Sequence, residues 1–278
     1  MTRRWTVPLV TIGLVVGTMF LAAGAASAAP TGHPSIHSTT VHGWQPGGLM
    51  IRPHGRVGAV GHHGRYTTAE STNWSGYAVT GSNGAFTSVS ASWTEPTATC
   101  SSGGRGRGSA SYAAFWVGLD GYSSDSVEQT GTDSDCSGRT AEYYGWYEMY
   151  PAYPVDFSNT VKPGDAMSAS VTFSGTETYT LVLHDATQGW TQTVVKNQSG
   201  LDRSSAEVIT EAPSSSSGVL PLADFGTVNY SVSAANGTSL GTQNPVQIIM
   251  VDNSGLDKDS TSTISSGGAF SNTWLRAN

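Results

Sequence analysis

The chain has 278 residues, of which 12% are charged and 34 are glycine. After residue 70, eight basic side chains stand against 19 acidic ones, which gives a net charge of −11. Because a phosphate backbone requires a basic patch, this balance argues against nucleic acid as a partner. A stretch of about 208 residues suits one large domain.

The first 28 residues have the three parts of a secretory signal peptide. Arg3 and Arg4 form a basic start, a mostly apolar segment follows from Val7 to Gly24, and Ala26-Ser27-Ala28 is a small-residue cleavage site. We predict cleavage after Ala28 and a secreted, extracellular protein that has no membrane contact afterwards. An uncleaved membrane anchor is the alternative, but no later segment is apolar enough to span a bilayer.

Residues 29–70 have the composition of a leader that builds no core. They hold six of the seven histidines and many glycines and prolines, without sustained periodicity. This composition predicts a pro-segment or a disordered leader. Its arginines and histidines are opposite in charge to the acidic domain, so the attraction is expected to fade once the carboxylates protonate. We then expect the leader to be cut between Gly61 and Ser71.

From residue 71 onward, short segments alternate between apolar and polar residues. Alternation with period two predicts half-buried strands, and no segment shows helical spacing over three turns. The predicted strands include Thr87–Trp93, Met167–Phe173, Tyr179–Leu183, Trp190–Val195, Ser204–Pro213, Val228–Val232, Val246–Val251 and Phe270–Trp274. Many short strands with frequent turn signals predict an all-β fold over residues 71–278, an antiparallel β-sandwich or jelly roll.

The segment from Trp116 to Pro151 places aromatic and acidic residues on the same strand faces. Alternation separates Trp116 and Asp120 from an apolar face that holds Ala113, Phe115, Val117 and Leu119. Later in the segment, one face is shared by Glu142, Tyr144, Trp146, Glu148 and Tyr150. A packed core favours Val, Ile and Leu, so we predict a binding surface on one wall of the sandwich. An ordinary aromatic core is the alternative.

The two cysteines, Cys100 and Cys136, are expected to form a disulfide in an exported chain. A catalytic cysteine or a Ser-His-Asp triad would need a histidine, and the domain has only His184. Zinc would need two or three His or Cys ligands, so we predict no metal and no cofactor. Calcium stays open as an alternative at two oxygen-rich turns, Asp133-Ser134-Asp135 and Asp257-Lys258-Asp259.

Five motifs occur in order along nearly all of residues 71–278. They are Asn73-Trp74-Ser75-Gly76, Trp116-Val117-Gly118-Leu119-Asp120-Gly121, Gln129-Thr130-Gly131, Trp146-Tyr147-Glu148-Met149-Tyr150-Pro151 and Ala206-Glu207-Val208-Ile209-Thr210-Glu211. In this order and spacing, the motifs resemble those of the glutamic peptidases, the eqolisin family, in a secreted member of the bacterial type.

The resemblance implies a sandwich of two large antiparallel sheets, of the concanavalin A-like kind, and a catalytic pair formed by Gln129 and Glu211. It also implies a cleft lined by Trp74, Trp116, Asp120, Trp146 and Glu148. Thr210 departs from the family, which tends to have an apolar residue there. Glu207, which shares a strand face with Glu211, is therefore the rival for the catalytic glutamate.

This pair suits acyl transfer to water without histidine, cysteine or metal. A glutamate can take a proton from water, and a glutamine amide can donate to the oxyanion. We predict a monomeric acid endopeptidase that acts on polypeptides, most active between roughly pH 2 and 5, where an unperturbed glutamate titrates. A sandwich-fold glycoside hydrolase or a carbohydrate-binding protein is the alternative, because aromatic platforms with two carboxylates also suit sugars.

Overall fold

The structure, a computed structural model, describes residues 67–101, 110–215 and 218–278. The predictions for the signal peptide and for the leader as far as residue 66 lie outside the described residues. Within these three ranges, no helix is long and apolar enough to cross a membrane.

The described residues form eighteen strands and one short 3-10 helix, Leu240–Thr242. In chain order the strands are β1 (Thr68–Ser71), β2 (Trp74–Thr80), β3 (Ser88–Thr94), β4 (Ala114–Leu119), β5 (Val127–Ser137), β6 (Thr140–Tyr150), β7 (Val155–Asp156), β8 (Ala166–Ser174), β9 (Thr178–Asp185), β10 (Trp190–Asn197), β11 (Ser205–Glu211), β12 (Ser214–Ser215), β13 (Gly218–Val219), β14 (Thr227–Ala235), β15 (Thr238–Ser239), β16 (Val246–Met250), β17 (Asp259–Thr261) and β18 (Phe270–Trp274).

Two large sheets form the sandwich. The front sheet has the strand order β1-β16-β2-β11-β4-β5-β6-β7, and the back sheet has the order β10-β9-β8-β3-β14-β18-β17, with β15 paired to β14. Strands β12 and β13 form a small separate pair. Every strand pair of the two sheets is antiparallel except β1 with β16, which is parallel. The predicted all-β sandwich of two large sheets is confirmed.

The first strand lies across the predicted start of the domain. Strand β1 begins at Thr68, and its four residues pair with Gln247 to Met250 of β16 at the edge of the front sheet. Residues 68–70, which the composition assigned to the leader, therefore contribute backbone hydrogen bonds to the sheet. A strand of four residues is too short to produce a clear alternating pattern.

The front sheet has two buried faces of different character. Its inner face packs Phe115, Val117 and Leu119 into the core between the sheets. Its outer face carries a second cluster with Trp74, Trp116, Trp146 and other large side chains. The predicted alternation along β4 is therefore confirmed. The outer face is where aromatic and acidic residues meet, so it is the place to look for a site.

A disulfide joins Cys100, in the segment after β3, to Cys136 near the end of β5. This pairing is the one that the sequence predicts. The bond closes a loop of about 37 residues, and the chain-entropy model gives such a loop about 3 to 4 kcal/mol of stabilisation. The loop encloses β4 and most of β5, two strands that carry the outer face.

Candidate active site

Strand register arranges the outer face of the front sheet in rows, each read across β2, β11, β4, β5 and β6. The first row is Trp74, Glu211, Ala114, Asp133 and Tyr144. The second row is Gly76, Ile209, Trp116, Gly131 and Trp146. The third row is Ala78, Glu207, Gly118, Gln129 and Glu148. All the predicted site residues except Asp120 therefore belong to one face, as does the rival Glu207.

Two glycines leave the space that the large side chains of this face occupy. A Cβ atom on Gly131 would lie 2.6 Å from the Cβ of Trp116, and one on Gly118 would lie 2.9 Å from the Trp116 ring. Neither distance is tolerable for a carbon atom. Gly131 is therefore required by the close approach of the Phe115 carbonyl oxygen and of Trp116, and Gly118 by the Trp116 ring.

Glu211 is fully buried on this face and is held by N–H donors. The indole Nε1 of Trp116 donates to its Oε2 at 2.9 Å, and Nδ2 of Asn73 donates to its Oε1 at 3.3 Å. The ring of Trp74 packs edge-on against Trp116, with centroids 4.9 Å apart. Burial raises the pKa of Glu211 to about 8, although its donors, led by Trp116, act in the opposite direction. This carboxyl is therefore able to hold a proton and to release it.

Gln129 and Glu148 are direct partners on β5 and β6. Nε2 of Gln129 donates a hydrogen bond to Oε2 of Glu148, and both side chains are buried. Burial raises the pKa of Glu148 well above its usual range, the hydrogen bond from Gln129 opposes this, and the charge of Glu211 raises it further. Glu148 therefore touches one predicted catalytic residue and lies within electrostatic reach of the other.

Glu207 belongs to a different group of acids. Burial raises its pKa well above the usual range, and the charges of Asp120 and Glu128 add to the effect. The charge of Glu211 acts on Glu148. Although Glu207 shares a row with Gln129, its electrostatic partners lie toward the other end of the strand.

The departure at Thr210 has a local explanation. Thr210 points to the inner face, where its hydroxyl lies 3.1 Å from the hydroxyl of Tyr230. The same Tyr230 hydroxyl donates to the backbone carbonyl of Ile209 at 2.8 Å. A buried polar group needs a hydrogen-bond partner, and Tyr230 provides it. The polar residue therefore requires no shift in the register of Glu211.

Asp120, unlike the other predicted cleft residues, accepts hydrogen bonds from backbone amides of a neighbouring segment. It follows β4 with a left-handed φ of 68° and is buried. Its carboxylate accepts from the backbone amides of Arg203 at 2.6 Å and of Ser204 at 2.8 Å. These bonds fix the chain where it enters β11. A contact between Asp120 and substrate stays a prediction.

Several neighbours of the site are not among the predicted residues. Asn73 is one, although it directly precedes Trp74 in the first motif. On β5, Asp133 and Asp135 follow Gln129 on the same face, and the Tyr144 hydroxyl donates to them at 3.1 Å and 2.7 Å. Period two along β5 would have identified both aspartates as neighbours of Gln129.

The two oxygen-rich segments named for calcium have protein partners, and Asp133-Ser134-Asp135 lies inside β5 and not in a turn. Asp133 also accepts from Trp146, and Asp135 accepts from the backbone amide of Ala113 at 3.1 Å. Asp259 accepts from the hydroxyl of Ser75. Among the residues that the structure describes, no group of three or more His, Cys, Asp or Glu side chains could hold a metal ion.

Comparisons with known proteins show which family the chain is similar to. The model of the Peptidase A4 family matches residues 72–274. Aspergillopepsin-2 of Aspergillus niger is 32% identical over 213 residues, which cover 69% of this chain and 75% of that protein. A crystal structure of scytalido-glutamic peptidase with a transition-state analog inhibitor has a TM-score of 0.61 at 28% identity, and the match covers 73% of this chain and 98% of that one.

The aspergilloglutamic peptidase of Aspergillus niger matches with a TM-score of 0.51 at 27% identity, over 59% of this chain and 99% of that one. The family model covers every strand of the two sheets except β1. The chain belongs to the Peptidase A4 family, the glutamic peptidases or eqolisins, and is an endopeptidase that hydrolyses peptide bonds.

Proposed function

We propose that Glu211 and Gln129 are the catalytic pair of a secreted acid endopeptidase. The observation that carries this proposal is the placement of Glu211. It lies on a buried face between N–H donors, and its charge acts on Glu148, the hydrogen-bond partner of Gln129. Glu207, which shares a strand row with Gln129, stays the rival for the catalytic glutamate.

In this proposal, the Glu211 carboxylate accepts a proton from a water molecule as the water oxygen attacks the scissile carbonyl carbon. The carbonyl oxygen becomes an oxyanion, and an N–H of the Gln129 amide stabilises it. Glu211 then gives the same proton to the leaving amine as the carbon–nitrogen bond breaks, so the carboxylate is regenerated. Trp116 and Asn73 hold the carboxyl in place throughout by donating to its two oxygens.

The expectation of an unperturbed glutamate is wrong for the site as the structure describes it. Burial is the largest cause that raises the pKa of Glu211 to about 8, and its N–H donors act against it. Entry of water into the site reduces the burial of Glu211 but leaves the donors in place. We therefore expect the pKa of Glu211 to fall toward the acid range in the open site, which supports activity between roughly pH 2 and 5.

We also propose that the protein is secreted and monomeric. The disulfide between Cys100 and Cys136 supports an oxidising compartment outside the cell. The acidic domain argues for polypeptide substrates rather than nucleic acid. Assignment to the bacterial type of the family stays a prediction.

The activity is tested by incubating the secreted protein with denatured casein and with β-glucan from pH 2 to pH 8. We expect casein fragments, most abundant between roughly pH 2 and 5, and no released sugar. Sugar release without proteolysis would favour the carbohydrate alternative instead. Maximal proteolysis at pH 7 or above would contradict the acid mechanism, because the open site would then retain the high pKa of Glu211.

Strand β1 narrows the expected site of leader removal. Residues 68–71 are paired with β16, so a cut inside β1 would break backbone hydrogen bonds of the front sheet. We expect the mature N-terminus to lie between Gly61 and Thr68 and to appear only at acid pH. N-terminal sequencing of the secreted protein across pH measures this. A mature chain that starts after Ser71 would contradict it, as would removal of the leader at pH 7 with no proteolytic activity present.

A further inference from the structure

The amide of Gln129 has two ends of opposite polarity, and one contact fixes which end lies where. Nε2 of Gln129 donates to Oε2 of Glu148, its direct partner across β5 and β6. Both side chains are almost completely inaccessible to solvent, at 0% and 1% exposure. The neighbouring strand therefore holds the amide at its nitrogen end.

Among the described residues, no second hydrogen bond holds the Gln129 amide in this orientation. Within the described part of the chain, Oε1 of Gln129 has no hydrogen-bond partner although it is buried. A half-turn about the last side-chain bond would exchange the nitrogen and oxygen ends with little change in shape. The oxygen end carries a negative partial charge and would repel an oxyanion. Catalysis by Gln129 therefore depends on whatever prevents this rotation.

We propose that Glu148 is a positioning residue that orients the Gln129 amide, so that its remaining N–H faces the scissile carbonyl. The resemblance to the family had assigned Glu148 to the lining of the substrate cleft. The inference deepens the proposed function, because it rests on Gln129 being the oxyanion donor.

The electrostatics of the site fit this role. Burial of Glu148 and the charge of Glu211 both raise the pKa of Glu148. In either protonation state, the Glu148 carboxyl keeps an oxygen that can accept a hydrogen bond from the Gln129 N–H. Orientation by Glu148 therefore does not require Glu148 to exchange protons with the substrate.

A matched pair of variants separates orientation from substrate binding. Glu148→Leu keeps the size of the side chain but removes the acceptor, whereas Glu148→Gln keeps a carbonyl oxygen that accepts. We expect Glu148→Leu to lower kcat on a peptide substrate by about tenfold or more, with KM changed by less than about twofold. We expect Glu148→Gln to keep kcat within about threefold, with an unchanged pH profile.

A double-mutant cycle that combines Glu148→Leu with Gln129→Ala tests the positioning role of Glu148 separately from the catalytic role of Gln129. Gln129→Ala alone should lower kcat by about 10²- to 10³-fold, through loss of the donor. Adding Glu148→Leu to it should cost nothing more, because no amide is left to orient. Near-full activity of Gln129→Ala would refute the catalytic pair itself.

If Gln129→Ala is impaired, three results would overturn the positioning role alone. The first is a Glu148→Leu variant that raises only KM, and the second is a double variant whose losses are fully additive. The third is a Glu148→Gln variant that loses activity or shifts its pH profile, and this result stands even if Glu148→Leu fails to fold. Circular dichroism of each variant provides the check on folding.

Discussion

Replacement of Glu211 by glutamine is expected to abolish peptide-bond hydrolysis while the sandwich remains folded. The amide keeps the shape of the side chain, and its oxygen can still accept the hydrogen bond from the Trp116 indole. It cannot accept a proton from water. Removal of a general base costs about 10²- to 10⁴-fold, and here the same group also serves as the acid, so we expect a loss of at least about 10³-fold in kcat.

The measurement is hydrolysis of denatured casein at the best pH of the unchanged enzyme, with circular dichroism to verify the fold. Glu207→Gln is the matched control, because it makes the same chemical change on the same face of β11. We expect it to remain active, since the acids that act on Glu207 are Asp120 and Glu128. If Glu207→Gln is inactive and Glu211→Gln is active, the catalytic glutamate is Glu207, four residues before Glu211.

The sequence predicts much of this site because strand periodicity and register are simple. Period two separates Trp116 from Phe115 and Val117, and the structure places them on opposite faces of β4. A pattern of this kind is reliable when one face of a strand is buried against a core. The motifs around Gln129 and Glu148 lie on adjacent strands, β5 and β6, a pairing that the sequence alone does not predict.

Other features could not be predicted because they depend on which strands become neighbours. The donation from Asn73 to Glu211 joins residues 138 positions apart, and no local pattern encodes it. Asp120 has the position of a cleft residue in its motif, yet it binds the backbone of Arg203 and Ser204. The raised pKa of Glu211 follows from burial, which the sequence alone does not show.

The second large effect is expected in stability, which should fall as the pH rises toward neutrality. Many carboxyl groups are buried in the sandwich, and burial raises the pKa values of several of them. The pKa is about 7 for Glu95 and Asp259, about 8 for Asp135 and Glu211, and about 9 for Glu128. Each of these groups is more costly to ionise in the folded chain than in the unfolded chain, where carboxyl pKa values are about 4.

The direction of the effect follows from proton binding. Between about pH 4 and the raised pKa values, the folded chain holds more protons than the unfolded chain, so the free energy of unfolding decreases as pH rises. The stabilisation is complete below about pH 4 and is lost as pH rises through about 7 to 9. Lys258, whose pKa is lowered from 10.5 to about 8 by burial, acts in the opposite direction, but it raises the free energy of unfolding only as the pH rises above about 8.

The size of the effect is large compared with the stability of a typical domain. Each buried carboxyl costs about 1.4 kcal/mol per pH unit in this window, and a typical domain is stable by about 5 to 15 kcal/mol in total. Two such groups acting over about three pH units are enough to exhaust much of that stability. We therefore expect Tm to be at least about 10 °C lower at pH 7 than at pH 4.

Thermal unfolding of the catalytically inactive Glu211→Gln variant from pH 3 to pH 9 measures this without self-digestion. The double variant Glu211→Gln/Glu95→Gln tests whether ionisation of a buried carboxyl causes the loss of stability. Glu95 lies between the two sheets and accepts from Ser134 at 2.7 Å and from Trp93 at 3.3 Å, and a glutamine oxygen can still accept such bonds. Because an amide does not ionise, the Tm of the double variant should fall less between pH 5 and pH 8 than the Tm of Glu211→Gln alone. A Tm that is constant or rises from pH 4 to pH 8 would show that the buried carboxyls do not control the stability of this fold.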